Sequence, residues 1–214
     1  MAAKIKTRDR ILQTALALFN EEGEENVSTV DIAAVMGISP GNLYYHFKGK
    51  EAIINGLFEG FEEELKLVLS APVKEPLALE DNWVFIYIIF EEINDFRFFY
   101  FNATSILARC EPLRPKFARL LSLKQSTARS IITNLENEGV TDLHDGEGDR
   151  LAERLAAHFS TWLEFRHLAK PDEAAQTAIH AGVHAAFDQI IPYVTGDRAE
   201  FAEMVEKYYS KKSG

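Results

Sequence analysis

Residues 28–50, STVDIAAVMGISPGNLYYHFKGK, decide the fold, because they have the pattern of two short helices joined by a tight turn. Ser28 and Asp31 match a capping box, in which each side chain hydrogen-bonds to the backbone N–H of the other residue. Ile32 lies on the apolar side of this first helix, and Gly37 tolerates the positive φ that a helix end requires. The stretch therefore predicts a helix that stops at Gly37.

A second helix follows at once. Ser39 and Pro40 suit the N-cap and the first helical position, and Leu43 and Phe47, one turn apart, form its apolar edge. The other side chains stay on the outer face: Gly41, Asn42, Tyr44, Tyr45 and His46. A helix-turn-helix of this kind places its second helix in the DNA major groove, so these residues are predicted to read DNA.

The composition is that of a folded protein, since 47% of the 214 residues are apolar. No apolar run reaches the roughly 18 to 20 residues that cross a bilayer, and the first residues lack a signal-peptide pattern. We therefore expect a cytoplasmic protein without membrane contact. The single cysteine, Cys110, cannot form an intramolecular disulfide.

The net charge of −10 at first argues against a nucleic-acid partner. Residues 1–50, however, carry six basic and six acidic side chains, so the excess of acid lies in residues 51–214. Because the local field at the contact face matters, a DNA reader with an acidic companion domain fits this distribution.

Helical patterns continue to the end of the chain, and no stretch alternates like a strand. We predict an all-α protein with a three-helix DNA-binding domain at residues 1–50, made of a helix at 6–22 and the helix-turn-helix, and a connecting fourth helix at 50–70. Two prolines between Ala71 and Pro76 are expected to break that helix. Residues 71–214 then form a larger helical domain for ligand binding and dimerisation. Its predicted helices are 80–94, 96–108, 113–137, 149–167, 173–193 and 197–209.

The string TRDRILQTALALFNEEGEENVSTVDIAAVMGISPGNLYYHFKGKEAI, within roughly residues 6–54, resembles the N-terminal domain of TetR-family transcriptional regulators. The resemblance implies a cytoplasmic homodimer bound to a palindromic double-stranded DNA operator, most simply a repressor, with a small-molecule effector in the C-terminal domain. The longer string that includes LFEGFEEEL is also similar to a subgroup containing regulators of polyhydroxyalkanoate synthesis, which implies an acyl-CoA-like or fatty-acid-like effector.

The resemblance also implies individual DNA contacts. Thr29 and Lys50 correspond to phosphate contacts, and the recognition face comprises Ser39, Gly41, Asn42, Tyr44, Tyr45 and His46. We expect either Tyr44 or Tyr45 to pack onto the helix predicted at residues 6–22, the first helix of the chain. The cluster Lys4, Lys6, Arg8 and Arg10 is open to two interpretations, a set of phosphate contacts or a solvated tail.

Aromatic residues crowd the stretch from Trp83 to Phe101, which predicts either a bulky core or the wall of an apolar pocket. The helix 113–137 is rich in Lys and Arg without an acid between Pro112 and Asn134; it is either a solvated face or an anion site. The candidate effector residues are Trp83, Tyr87, Phe90, Asn94, Phe98, Asn102, Arg129 and Trp162.

Small residues along the helix 173–193 permit close approach of another helix, either in a dimer or in the chain's own core. The candidate dimer residues are Leu155, Trp162, Ala178, Gly182 and Ala185. His180 and His184 lack a convincing third ligand, so the sequence predicts no metal and no cofactor.

We do not expect an enzyme, because the sequence lacks a nucleophile elbow, a P-loop, a metalloprotease motif and a dinucleotide fingerprint. The alternative function is a helical interaction or sensor protein that has lost specific DNA binding.

Overall fold

The computed structural model describes residues 6–74 and 79–212. Within these ranges the only β-type backbone pairing is an isolated antiparallel bridge between Thr141 and Val194. The all-α prediction is therefore confirmed. None of the helices in these ranges is long and apolar enough to span a membrane. The helices are α1 (Thr7–Glu22), α2 (Thr29–Met36), α3 (Pro40–His46), α4 (Lys50–Lys74), α5 (Leu79–Asp95), α6 (Arg97–Phe101), α7 (Ala103–Arg109), α8 (Leu113–Asn137), α9 (Glu147–Ala169), α10 (Ala175–Asp188) and α11 (Arg198–Lys212).

The signals that define α2 and α3 are all present in the structure. The backbone N–H of Ser28 donates to the Asp31 carboxylate at 2.8 Å, and the N–H of Asp31 donates to the Ser28 hydroxyl at 3.3 Å. Gly37 adopts φ 66° and ψ 32°, the left-handed conformation that ends α2. The Ser39 hydroxyl accepts from the N–H of Asn42 at 3.2 Å, with Pro40 in the first turn. The predicted helix-turn-helix is therefore confirmed.

The chain packs as two compact units. The first comprises residues up to Glu63 together with Asp95–Phe117, and the second comprises Glu64–Asn94 and the chain from Ala118 onwards. This packing division differs from the predicted functional division near residue 71, which stays a prediction.

The first unit joins α1 to the segment 95–117 through Asn20. The side chain of Asn20 donates to the Asp95 carbonyl at 2.7 Å and accepts from the N–H of Phe98 at 3.1 Å. Phe98 also packs against Phe19, with ring centroids 5.3 Å apart. Residues almost eighty positions apart thus form one core around the helix-turn-helix.

The second unit is built around α9 and α10. Trp162 of α9 lies over Gly182 of α10, and its indole N–H donates to the Ala178 carbonyl at 2.8 Å. His158 bonds to the Gly182 carbonyl at 2.8 Å. Because Gly182 has no side chain, the Trp162 ring can lie directly on α10, and the two helices approach closely.

Several predicted boundaries were wrong. α4 continues through Pro72 to Lys74, because the loss of one N–H donor does not end a helix in its last turn; residues 75–78, including Pro76, lie outside the described residues. The predicted helix 96–108 is two helices, with Asn102 between them. The predicted helix 173–193 ends at Asp188 and is followed by a 3₁₀ turn at Ile191–Tyr193.

Candidate DNA-binding site

The recognition helix α3 is fastened by two side chains and presents the others to solvent. Leu43 and Phe47 are buried as predicted. Tyr44 is 57% exposed and Tyr45 is 78% exposed, so neither ring is buried and the expectation that one of them packs onto α1 is not met. Two exposed phenols on one short helix are large and rigid groups that can enter a groove.

The polar residues of α3 lie beside these rings. Asn42 and Gly41 are exposed, and the Ser39 hydroxyl is engaged as the N-cap. His46 is half-buried, and its ring stands edge-on to Tyr45 at a centroid distance of 5.3 Å. The exposed amide of Asn42 is suited to an adenine edge, because a carboxamide can both donate and accept there.

The two predicted phosphate contacts line a common cleft but differ in availability. Thr29, the first residue of α2, and Lys50, the first of α4, border a cleft of about 280 Å³. The Lys50 ammonium donates to the Glu24 and Val27 carbonyls at 2.8 and 3.0 Å and lies 3.0 Å from a carboxylate oxygen of Glu24. Lys50 therefore has a structural set of partners that the sequence did not indicate.

Two cations near the end of α3 are exposed instead. The Lys48 ammonium lies 4.5 Å from the centroid of the Tyr44 ring, and the Arg8 guanidinium carbon lies 4.8 Å from that of Phe47. Arg8 belongs to the basic cluster noted in the sequence; Lys4 of the same cluster lies outside the described residues. Lys48 was not among the residues predicted from the sequence, although its position directly after a buried α3 anchor was the available signal.

The candidate effector residues fall into both units. In the second unit Trp83 stacks on Tyr87 with an interplanar angle of 13°. Phe90 contacts His158 edge-on, and the Tyr87 hydroxyl donates to the Gln176 side chain at 2.6 Å. This aromatic cluster is joined by Trp162 through His158, with centroids 4.9 Å apart.

Other candidates lie elsewhere. Phe98 is buried against Phe19 in the first unit, and the Asn102 side chain donates to the Phe98 carbonyl at 3.3 Å. Asn94 is half-buried on α5. Phe98 and Asn102 thus serve the core of the helix-turn-helix unit rather than the aromatic cluster, because α6 packs there.

Two cations of the basic helix α8 already have partners in the second unit. Arg129 pairs with Glu136 and Asp149, each at 3.0 Å. Lys124 is buried and bonds to the Ser160 hydroxyl at 3.1 Å, and its burial lowers its pKa to about 7. These contacts favour the interpretation of a charge-balanced face over a phosphate site, since Arg129 already has two carboxylates.

The candidate dimer residues are divided by exposure. Leu155, Ala178 and Gly182 are buried within the chain, and Gly182 faces the chain's own Trp162, so these three do not form an exposed dimer face. Ala185 is half-buried. The large apolar side chains of α9 that are exposed are Phe165 and Leu168, at 58% and 75%.

A second cleft of about 390 Å³ lies in the second unit between two loops and α11. Val140, Thr195 and Phe201 are among its lining residues, and none of the candidate effector residues borders it. In the described ranges no three His, Cys, Asp or Glu side chains gather in a group that could hold a metal ion.

An all-helical chain with a capped helix-turn-helix and a larger helical unit belongs to the class of helix-turn-helix DNA-binding regulators. More specifically, the chain is a member of the TetR family. The model of "Bacterial regulatory proteins, tetR family" matches residues 11–57, and that of "Bacterial transcriptional repressor" matches residues 60–201.

Individual relatives agree with this placement. The chain is similar to a TetR-family transcriptional regulator from Marinobacter aquaeolei VT8, with 29% identity, a TM-score of 0.87 and coverage of 95% of this chain and 99% of that one. It is 26% identical over 159 residues to the nucleoid occlusion factor SlmA of Shewanella pealeana, covering 72% of this chain and 77% of the relative. The fold is shared with the fatty acid degradation regulator FadR of Bacillus halodurans, at 14% identity and a TM-score of 0.58, covering 86% of this chain and 96% of that chain.

Proposed function

We propose that this protein is a ligand-responsive repressor that binds a palindromic operator as a homodimer and is released by a small apolar or acyl-CoA-like effector. The observation that carries the proposal is the exposed face of α3. Its anchors Leu43 and Phe47 are buried, while Asn42, Tyr44 and Tyr45 project from a helix whose start is fixed by the Ser39 cap. A rigid helix with a free polar and aromatic face supports sequence reading in the major groove.

The first experiment selects a binding sequence from random duplexes and then measures affinity at fixed salt. Asn42→Ala and Tyr44→Ala are expected to lower affinity for the selected duplex by about fivefold or more, since one good base contact contributes about 1–3 kcal/mol. Gln125→Ala, which truncates an exposed amide in the second unit, is the control. Unchanged affinity and sequence preference in both α3 variants contradicts the assignment.

The aromatic cluster of the second unit supports the effector part of the proposal. It combines apolar rings with a few polar groups, the combination that small-molecule sites use. The sequence has two tryptophans, Trp83 and Trp162, and both belong to this cluster. Tryptophan emission therefore reports directly on a ligand that enters it.

Dodecanoic acid and dodecanoyl-CoA are suitable first probes. We expect at least one to shift the tryptophan emission and to release the selected duplex over the same concentration range. A probe that releases DNA without changing the emission places the effector elsewhere, and the cleft beside α11 is then the next candidate. Because Arg129 is already paired with two carboxylates, it is a poor partner for the phosphates of CoA. We therefore expect the protein to recognise the acyl chain of such an effector.

The exposed residues Phe165 and Leu168 support the dimer part of the proposal. Neighbouring α10 presents the half-buried small residues Ala181 and Ala185, and a face of large apolar and small residues suits an isologous helix interface.

The similarity to a nucleoid occlusion factor favours a second candidate function, nucleoid occlusion. Genome-wide occupancy tests the repressor, because a repressor is expected to occupy a few promoters; occupancy without any promoter among the bound sites contradicts it. The third possibility, an interaction protein without DNA binding, predicts no salt-dependent binding to any duplex.

A further inference from the structure

The cleft beside α11 shares no described lining residue with the aromatic cluster or with the recognition face. Its volume of about 390 Å³ lies within the range of sites that hold small molecules. The residues that line it are Gly139, Val140, Val194, Thr195, Gly196, Asp197, Glu200, Phe201 and Met204. The proposed DNA binding leaves this cleft without a role.

One side of the cleft consists of two chain segments that are joined by hydrogen bonds. The N–H of Thr195 donates to the Val140 carbonyl at 3.1 Å, and the Thr195 hydroxyl donates to the Gly139 carbonyl at 2.6 Å. These bonds hold the two segments together and fix the positions of Val140 and Val194 in the lining.

The other side of the cleft is the beginning of α11. Phe201 is 7% exposed and anchors the helix, whereas Met204 is half-buried and borders the cleft. Together with the two valines, these side chains form the apolar part of the lining. An alkyl chain that enters the cleft is removed from water, which favours its binding.

The charged residues in the lining are both acidic. Asp197 and Glu200 are exposed, and within residues 6–74 and 79–212 neither forms an ion pair. Arg198 lies between them in the chain but does not line the cleft, and its Nε–H donates to the Val194 carbonyl at 3.4 Å. A ligand in the cleft therefore meets carboxylates and no lining cation.

The start of α11 is not available to an anion. The N–H groups of a first helical turn attract anions in general, but here the Asp197 carboxylate already accepts from the N–H of Ala199 at 2.8 Å and of Glu200 at 3.3 Å. A carboxylate or phosphate ligand would have to displace this cap and would also face the Glu200 side chain. Charge complementarity thus favours a cation.

We propose that the cleft beside α11 binds a small amphipathic cation, an organic amine or quaternary ammonium ion that carries an alkyl chain. The chain lies against Val140, Val194 and Met204. The cationic group lies beside the carboxylates of Asp197 and Glu200. This site is separate from the recognition face and from the aromatic cluster, and it does not depend on the proposed function.

Methyl NMR of the methionines in the full chain tests the inference. The sequence has three methionines; Met204 lines the cleft, Met36 at the end of α2 is an internal reference, and Met204→Leu assigns the signal. The probes are octyltrimethylammonium bromide, 1-octanol and sodium octanoate at equal ionic strength. We expect the Met204 signal to shift, with affinity falling from cation to alcohol to carboxylate, because the chain is constant and only the charge changes.

Two variants test the charge. Glu200→Gln keeps the size of the side chain and is expected to lower the affinity for the cation by about two- to fivefold, the range of an exposed ion pair, without changing that for octanol. Asp197→Asn, added to this variant, should lower it further and keep the helix start, since Asn and Asp are equally good N-caps. Glu203→Gln, an exposed acid of α11 outside the lining, is the matched control.

A third variant tests the location. Val140→Trp places a large side chain in the cleft and is expected to abolish the Met204 shift with the cation and with octanol. Thermal unfolding of each variant verifies that it is folded at the temperature of the titration. Tryptophan emission of the wild type is recorded with the same probes, because neither Trp83 nor Trp162 lines the cleft.

The outcomes decide the inference without any DNA in the assay. An unmoved Met204 signal, an affinity for octanoate equal to that for the cation, or equal losses in Glu200→Gln and Glu203→Gln overturns it. A folded Val140→Trp protein that binds like the wild type, or a cation that changes only the tryptophan emission, also overturns it. Preference for the cation, with losses confined to the variants of the lining, supports it.

Discussion

Replacing Gly182 with alanine tests the close contact between α9 and α10. A Cβ atom at Gly182 would lie 2.6 Å from Cδ1 and 2.7 Å from Nε1 of Trp162, and 2.9 Å from Cζ of Phe90. Carbon atoms essentially never approach so closely, so the indole has to move. Its hydrogen bond to the Ala178 carbonyl, now 2.8 Å, is then strained or lost.

The expected magnitude follows from three opposing effects. Alanine in place of glycine within a helix stabilises by about 1 kcal/mol. Overpacking of a filled core destabilises by about 1–3 kcal/mol, and loss of the indole hydrogen bond by about 1 kcal/mol. The free energy of unfolding of Gly182→Ala should therefore fall by about 1–3 kcal/mol.

Gly60→Ala is a matched control, because Gly60 also lies in a helix but has no atom within 4 Å of the added Cβ. It should gain about 0.5–1 kcal/mol. Urea denaturation followed by circular dichroism measures both values, and Trp162→Phe in the Gly182→Ala background should recover part of the loss. A Gly182→Ala protein as stable as Gly60→Ala would refute the proposed contact.

Three other substitutions test separate features. Ser28→Ala removes the hydroxyl of the α2 capping box and should lower the free energy of unfolding by about 1 kcal/mol in urea denaturation; an equal loss in Ser126→Ala, an exposed serine within α8, would contradict a special role of the cap. Burial lowers the pKa of His158 below its ordinary value of 6.5. As the pH falls through about 6.5, His158 therefore takes up a proton in the unfolded chain before it does so in the folded chain. The stability that is complete above this pH is lost below it. His158→Gln, which retains an N–H for the Gly182 carbonyl, should therefore flatten the thermal midpoint between about pH 5 and 7, and an unaltered profile would contradict this assignment. Leu168→Glu should convert the proposed dimer to a monomer in sedimentation equilibrium, whereas Leu67→Glu, at a similarly exposed position, should not; a dimeric Leu168→Glu protein would exclude this face.

The helix-turn-helix was predictable because its signals are local. Ser28 and Asp31 are three residues apart, Gly37 acts through its own backbone, and Leu43 and Phe47 are one turn apart. Each signal contributes to a single element, and all of them agree. Short-range chemistry of this kind can be recognised without knowledge of the fold.

Contacts between distant parts of the chain were not predictable in the same way. Small residues on α10 suggest a close neighbour, yet the sequence does not reveal that the neighbour is the chain's own Trp162. Arg129 lies in a stretch without acids; Glu136 follows two turns later on α8, but the second partner, Asp149, comes within reach only when the start of α9 packs beside α8. Both cases depend on tertiary packing, which residue spacing along one helix does not encode.

The same reasoning explains why the segment 95–117 belongs with the helix-turn-helix. Glu24 is 1% exposed, and a buried carboxylate is costly unless it is paired. Its partners are Lys50, at the start of α4, and Arg109, at the end of α7, at 3.0 and 2.5 Å. The carboxylate also holds the pKa of Arg109 above its ordinary value.

Glu24 pairs with both cations, so the start of α4 and the end of α7 are bound to the same point beside α2. Removal of either cation leaves the buried carboxylate with only one partner of opposite charge. The segment α6–α7 is therefore part of the rigid support of the recognition helix, although the sequence places it far from residues 28–50. A displacement of α7 would move Arg109, and through Glu24 it would also move Lys50 at the start of α4. None of the side chains on the recognition face takes part in this connection. This makes Arg109 a residue whose substitution should alter the placement of α3 while leaving every proposed DNA-contacting side chain intact.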